Sequence, residues 1–309
     1  MLNCILFYDD NYRWWQPGNY LTKVIDSTFD INIYNHGVIA EDIGVLETLD
    51  NIKPKIDFIL VIDSGKTHHK LHHHTEQITK NNVKTAIWLS DTHIGWEDRK
   101  FWITEFRYDY VFVAQKDAVT RVIEECGYSK DKVFWLPHAV DTDIFKLLNN
   151  PKKKYDAVSV GFMNQNREKI FPILENQINF KQFSTIWGWS VAKAYQESKM
   201  GINIPVANDP LNMRCFEIGA CKVPQIIGYP DNDSNGLFEL FTDGEDILTF
   251  PLSDISKLKE LIVRLLVNPQ ISEKLAENMY NKVINQHTYR HRLNTILETM
   301  GFEERFLNV

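Results

Sequence analysis

Short apolar runs recur along the first half of the chain and alternate with segments of helical periodicity. In one such segment, residues 116–127, the apolar side chains of Val119, Val122, Ile123 and Cys126 share one helical face. Apolar runs that alternate with helices predict βαβ units and a parallel sheet. The predicted strands are residues 4–8, 31–34, 58–62, 85–89, 110–113 and 133–136.

The alternation stops at the polar segment KLLNNPKKKYD and then starts again. From Ile255 the pattern is helical, with a break at Pro269 and a last helix that opens at His287. We therefore predict a first domain over 1–150, a second over 151–286, and a terminal helix over 287–309. Strands of the second domain are predicted at 157–160, 185–187, 202–204 and 225–228.

Composition is consistent with two globular domains. The chain has 309 residues, of which 44% are hydrophobic, and a formal net charge of −7, which argues against a surface that coats nucleic acid. Its cysteines, which have no metal or redox spacing, are predicted to be free buried thiols of a reducing compartment. With no signal peptide and no apolar run near the ~20 residues of a membrane span, we expect a cytoplasmic protein without integral membrane association. The cysteines are Cys4, Cys126, Cys215 and Cys221.

Residues 209–224 contain the most informative pattern. Asp209 followed by Pro210 predicts a helix that starts there, with the aspartate as N-cap. Arg214 and Glu217, three residues apart, then lie on one side near the helix start. Such a site attracts a phosphate, and its carboxylate suits a ribose diol. An intrahelical Arg–Glu ion pair explains the same spacing, so both interpretations stay open.

A second anion site is predicted after residues 157–160. Gly161 permits a tight turn, and Arg167 lies near the start of the following helix.

Several of these motifs resemble one family. Asp209 and Glu217, with seven residues between them, are similar to the acidic E-x7-E element of retaining glycosyltransferases of the GT-B fold. NMRCFEIGAC resembles the glycosyl transferase family 1 group that includes spore-maturation-type enzymes, as do LFELFTDGEDILTF and HTYRHRL further on. Lys222 departs from that pattern, because the family usually has glycine after this helix. A left-handed backbone there would cost a lysine about 1 kcal/mol.

The resemblance implies an α/β protein of the GT-B fold, with two Rossmann-like domains facing across a cleft and the C-terminal helix crossing back. It implies a hexosyltransferase that uses a UDP- or GDP-type sugar donor and retains the anomeric configuration. Because Arg167, Arg214 and helix termini can stabilise the charge of the departing diphosphate, we expect no metal or other cofactor. Arg167 and Arg214 would bind the diphosphate, Glu217 the ribose and Asp209 the sugar. Further donor contacts are expected at Gly161, Gly188, Trp189 and Asn212, the glycine–tryptophan pair lying in the loop that covers the base.

Polar residues at the end of strand 85–89 are candidates for the acceptor side. Asp91 and His93 would orient an acceptor hydroxyl or the transferred sugar. A structural interpretation of the same two residues stays equally open, in which Asp91 caps the next helix and His93 hydrogen-bonds to the backbone. Trp14 and Trp15 are read as an acceptor platform or as packing on a lid.

Two patterns resemble metal sites. His69 and His73 are one helical turn apart, and Asp141 and Asp143 form a D-x-D. We expect neither to bind a functional metal, because the first lacks a defined ligand set and the second fits a capped turn.

Other functions remain open. A nucleotide-sugar epimerase or hydrolase of the same fold, or a non-catalytic nucleotide-sugar-binding protein, would use the same donor site. The acceptor class (protein, polysaccharide, small molecule or modified nucleobase) and the oligomeric state are not fixed by the sequence.

Overall fold

A computed structural model describes residues 2–8, 16–27, 31–36, 55–63, 75–80, 82–207, 209–231 and 234–302. The chain forms two compact units, Met1–Pro137 with Tyr289–Val309 and His138–Thr288. The crossover between units therefore lies at Pro137, and the polar segment near residue 150 belongs to the second unit. The segment that follows Pro137 is bonded to the end of the second unit. Val140 pairs with Thr288, and the Val140 amide donates to the His287 carbonyl at 3.1 Å.

The first unit contains a parallel sheet. In its described part the strand order is β2-β1-β3-β4-β5-β6, and every neighbouring pair is parallel. Helices follow most of the strands, as the hydrophobic pattern predicts. The elements are β1 (Leu2–Phe7), α1 (Pro17–Asp26), β2 (Ile31–His36), β3 (Phe58–Asp63), α2 (Thr75–Lys80), β4 (Lys84–Leu89), α3 (Trp96–Phe106), β5 (Tyr110–Val113), α4 (Asp117–Cys126) and β6 (Val133–Trp135).

The second unit repeats the architecture with the strand order β11-β10-β9-β7-β8, again parallel throughout its described residues. The prediction of two α/β domains is confirmed. The elements are β7 (Tyr155–Val160), α5 (Gln165–Glu175), β8 (Phe180–Phe183), α6 (Trp189–Gln196), β9 (Ser198–Asn203), α7 (Met213–Ala220), β10 (Gln225–Tyr229), α8 (Leu237–Leu240), β11 (Leu248–Pro251), α9 (Ile255–Val267) and α10 (Pro269–Gln286).

The predicted strand over 185–187 is wrong. The strand is β8, whose sequence FKQF alternates because it lies at the edge of the sheet, with Phe180 buried and Lys181 exposed. The apolar residues Ile186 and Trp187 lie in the loop that follows. β11 is absent from the predicted strands. Its short run LTFP overlaps the family-like motif LFELFTDGEDILTF, which is interpreted as a motif and is not divided into elements.

The last helix, α11 (Tyr289–Thr299), belongs to the first unit. The Tyr289 ring packs against Tyr20 of α1, with centroids 4.9 Å apart, and against Trp88 of β4. Arg292 donates from Nε to the Pro137 carbonyl at 2.7 Å, and burial lowers the pKa of this guanidinium to about 10. The helix thus completes the core of that unit.

All four cysteines are buried free thiols, as predicted. Burial raises the pKa of Cys4 to about 12 and raises those of the other three as well. Within the described part of the chain, no helix combines the length and apolarity that a membrane crossing requires.

Candidate functional site

The second sheet has its topological switch point between β7 and β9. From β7 the chain proceeds to β8 on one side, and β9 then pairs with the opposite edge of β7. In open α/β sheets, ligands bind beyond the carboxyl ends of the strands at such a point. The turn that begins at Gly161 and the loop that begins at Ile204 flank this position.

Gly161 opens the turn after β7 with a φ of +137°. A Cβ atom built there would lie 2.4 Å from Nη1 of Arg167, so a side chain would displace the guanidinium. The turn is held from the neighbouring strand, since Gln182 donates from Nε2 to the Gly161 carbonyl at 2.7 Å. Glycine is therefore required at this position for two reasons, backbone conformation and close approach.

The buried guanidinium of Arg167 joins the two loops that flank the switch point. Its Nε and Nη2 donate to the Ile204 carbonyl at 3.0 and 2.7 Å, and Nη1 donates to the Phe162 carbonyl at 2.6 Å. Asn164 reinforces this link: its Oδ1 caps α5 by accepting from the Arg167 amide, and its Nδ2 donates to the Pro205 carbonyl. The arrangement fixes the loop after β9 to the start of α5.

Arg167 also brings an unneutralised positive charge to the site. Among the described residues no carboxylate accepts from it, and its partners are neutral carbonyls. Burial lowers the pKa of Arg167, and the nearby cation of Arg214 acts in the same direction. An arginine carries five N–H donors, so two remain beyond the three bonded ones. A buried positive charge with donors to spare favours an anionic ligand.

Arg214 and Glu217 form an ion pair on one side of α7. Nη1 of Arg214 donates to Oε2 of Glu217, whose side chain is 2% exposed while that of Arg214 is 23% exposed. The intrahelical pair left open by the sequence is therefore present. A ribose diol at this position would have to share the Glu217 carboxylate with Arg214.

The predicted start of this helix is wrong. The N-cap of α7 is Asn212, whose Oδ1 accepts from the Arg214 amide at 3.0 Å. Asp209 is buried and accepts from the Leu211 amide at 3.1 Å, so it closes a separate turn before the helix. Asn203 at the end of β9 holds this turn, accepting from Asn212 and donating to the Pro210 carbonyl.

The loop after β8 presents aromatic side chains. Gly188 has a φ of +52° and immediately precedes α6. Trp187 is 42% exposed and Trp189 is 46% exposed, and Nζ of Lys146 lies 5.0 Å from the Trp189 ring centroid. Exposed ring faces at the carboxyl end of β8, the strand beside β7, are suited to stacking on a planar ligand.

One family model matches the second half of the chain. Residues 161–298 match the family model described as "Glycosyl transferase-like". No match was found among curated protein sequences.

Solved structures match almost the whole chain. Anabaena Alr3699/HepE in complex with UDP-glucose has a TM-score of 0.67 at 11% identity, covering 98% of this chain and 100% of that one. Sucrose-phosphate synthase (tll1590) from Thermosynechococcus elongatus has a TM-score of 0.68 at 12% identity, with coverages of 97% and 98%. An alpha-glucosyltransferase in complex with UDP and a 13-mer DNA containing a HMU base has a TM-score of 0.68 at 11% identity, with coverages of 97% and 99%. The chain has the fold of the GT-B glycosyltransferases.

In the first domain of this GT-B fold, Asp91 and His93 are both exposed, one strand away from that sheet's own switch point between β1 and β3. Asp91 does not cap the following helix, because Gly95 is the N-cap of α3. Thr92 of this loop is buried, and it donates from its amide and hydroxyl to Oε1 of Gln115. The loop is thus fixed by Thr92, and both candidates face solvent.

The metal-like patterns divide into two cases. Asp141 accepts from the amides of Asp143 and Ile144, and Asp143 is exposed, so the D-x-D caps a turn as expected. Within the described residues no group of His, Cys, Asp or Glu has the arrangement of a metal site. His69 and His73, like Trp14 and Trp15, lie outside the described residues.

Sequence reasoning missed the side chains that hold the loops at this edge of the sheet together. They are Asn164, Gln182 and Asn203, each of which bonds to a different element or loop. The two asparagines do carry a signal, because one ends a strand and the other begins a helix, where asparagine commonly bonds to backbone. Gln182 carries none, and neither does Tyr195, a buried tyrosine of α6 that interacts electrostatically with Arg167 and Arg214.

Proposed function

We propose that the chain is a glycosyltransferase that moves a hexosyl group from a UDP- or GDP-linked donor to an acceptor. The observation that carries the proposal is the placement of Arg167 and Arg214 at the switch point of the second sheet, beside the Gly161 turn. The family match covers these same residues. Structures of the same fold are described as complexes with UDP or UDP-glucose, which supports a nucleotide-sugar donor for this chain.

The diphosphate is the part of the donor that this geometry suits best. Breaking the glycosidic bond leaves growing negative charge on the departing diphosphate oxygen. Two arginines with a single carboxylate between them leave the cluster net positive, and donors aimed at developing charge lower the barrier. The amino end of α7, capped by Asn212, adds a favourable dipole at the same place. A metal ion is not needed for this stabilisation, so we propose a metal-independent reaction.

We propose the remaining donor contacts from the resemblance of the sequence motifs to the same family. Glu217 would accept from the ribose hydroxyls, Asp209 from the sugar, and the loop with Gly188 and Trp189 would cover the base. No protein nucleophile is assigned, and we propose that configuration is retained. Asp91 and His93, exposed at the end of β4, are the proposed contacts of the acceptor.

The test is product formation. The purified protein is incubated with UDP- and GDP-sugars and a library of peptides, glycans, small alcohols and nucleobase derivatives, and products are identified by mass spectrometry. A mass increase of one hexosyl unit in an acceptor supports the proposal, and its loss in Arg214→Ala ties it to this site. Free nucleotide and sugar without acceptor modification would instead show a hydrolase. An isomerised donor would show an epimerase, and tight binding of the donor without turnover would show a binding protein.

A further inference from the structure

Tyr195 is a polar residue buried beside the donor site with its hydroxyl unbonded. It lies on α6, its side chain is completely buried, and no described residue accepts from or donates to its hydroxyl oxygen. Buried hydroxyls are nearly always hydrogen-bonded, and leaving one unpaired costs free energy. Such an exception calls for an explanation, and a change of partners on ligand binding supplies one.

The surroundings of this hydroxyl are the charged groups of the donor site. Tyr195 interacts electrostatically with Arg214, Glu217 and Arg167, and α6 is joined to α7 by the contact between Cys221 and the Ala192 carbonyl. Burial raises the pKa of Tyr195, and the carboxylate of Glu217 acts in the same direction. The phenol therefore keeps its proton and remains a donor at neutral pH.

Nucleotide binding would change the partners of Glu217. In the structure its carboxylate pairs with Arg214. A diphosphate that draws Arg214 toward itself would leave a 2% exposed carboxylate without its cation, which is unfavourable in a desolvated position. A neutral donor beside Glu217 would relieve this cost, and Tyr195 is such a donor.

We propose that Tyr195 is a positioning residue for the donor site: its hydroxyl donates to Glu217 when a nucleoside diphosphate takes Arg214, and it holds the carboxylate toward the ribose. This role rests on the proposed function, since it requires nucleotide binding at Arg214 and Glu217. No described residue bonds to the hydroxyl in the structure, whereas in the complex Glu217 accepts from it. Tyr195 acts through Glu217 and does not itself contact the nucleotide.

Tyr195→Phe separates this role from simple packing. Phenylalanine keeps the buried ring and removes the unbonded oxygen, so the free variant should melt at the wild-type temperature or above it. The affinity for UDP or GDP, measured by calorimetric titration, should fall by roughly three- to tenfold, the range of one hydrogen bond. A second test uses Glu217→Gln as background, where the effect of Tyr195→Phe should shrink to less than about twofold, because the buried charge is gone.

Tyr155→Phe is the matched control, because Tyr155 is the first residue of β7 and so lies at the amino end of a strand whose carboxyl end faces the candidate site. It should leave nucleotide affinity unchanged. Wild-type affinity in Tyr195→Phe overturns the role of Tyr195 and leaves the proposed function standing. A lower melting temperature with unchanged affinity shows a purely structural tyrosine. Absence of UDP and GDP binding by the wild-type protein overturns both the donor assignment and this role.

Discussion

Arg167 and Ile204 are joined by two hydrogen bonds, in which Nε and Nη2 of the guanidinium donate to one carbonyl oxygen at 3.0 and 2.7 Å. Ile204 directly follows β9. The contact therefore fixes the segment between β9 and α7 to the start of α5. The same guanidinium supplies the positive charge expected at the diphosphate. The observed structural role and the proposed binding role therefore fall on one side chain.

Arg167→Ala should lower both stability and nucleotide affinity. It leaves the buried Ile204 carbonyl without its donor, at a cost of about 1–3 kcal/mol. It also removes the donor of the Phe162 carbonyl, but that bond is only partly buried and contributes less. For a protein of this size that lowers Tm by several degrees, about 2–4 °C per kcal/mol for domains of 150–250 residues. Thermal melts and titration with UDP and GDP measure the two effects.

Lys169→Ala is the control for this experiment, because Lys169 lies exposed on the same helix. It removes one positive charge without touching the loop after β9, and both measurements should stay near wild type. Comparable affinity losses in the two variants would show that Arg167 contributes only general electrostatic attraction.

Glu217→Ala should weaken nucleotide binding by at least about tenfold, which corresponds to about 1.4 kcal/mol. Hydrogen bonds from ribose hydroxyls to a carboxylate are worth about 1.5–3 kcal/mol each. Glu217→Gln should weaken binding less, since its amide oxygen still accepts. Calorimetric titration of UDP and GDP into both variants measures the losses.

The competing interpretation makes Glu217 a structural partner of Arg214 alone. It predicts a lower Tm for Glu217→Ala with nucleotide affinity kept. Thermal melts run beside the titrations decide between the two, and an affinity that survives the alanine substitution would remove the ribose assignment.

The local motifs were readable from the sequence, whereas the contacts between elements were not. Gly161 and Arg167 belong to one strand–turn–helix unit, so spacing alone places them together. Asp209-Pro210 has a strong N-cap signature and so predicts a helix start that is too early. In the structure Asn203, on a different element, binds Asn212 and the Pro210 carbonyl, and the helix begins after Asn212. Pairing across elements depends on the folded sheet, which a one-dimensional pattern does not contain.

Activity should persist in excess EDTA. Arg167, Arg214 and the amino end of α7 can stabilise the negative charge of a departing diphosphate without a divalent cation. The measurement is turnover with and without EDTA, followed by addition of Mg²⁺ or Mn²⁺. Activity that vanishes with the chelator and returns with manganese would contradict the proposal and direct attention to Asp141 and Asp143.

Lys222 provides a test of backbone conformation. It follows α7 with a φ of +53°, in the left-handed region that glycine adopts most easily. Its ammonium pairs with Glu277 and lies 5.6 Å from the Tyr280 ring centroid, but the pair is exposed and contributes little. The left-handed conformation costs a non-glycine residue about 1–2 kcal/mol.

Comparing Lys222→Gly with Lys222→Ala isolates this cost, because both variants lose the ion pair and only alanine keeps the strained Cβ. The glycine variant should be more stable than the alanine variant by about 1 kcal/mol in urea unfolding. At Lys193, an exposed position inside α6, the order should reverse, with glycine less stable than alanine by about 1 kcal/mol. Equal stabilities of the two Lys222 variants would mean that residue 222 does not hold a left-handed conformation in solution. The opposite signs at the two positions would show that the lysine after α7 is tolerated at a cost in backbone strain.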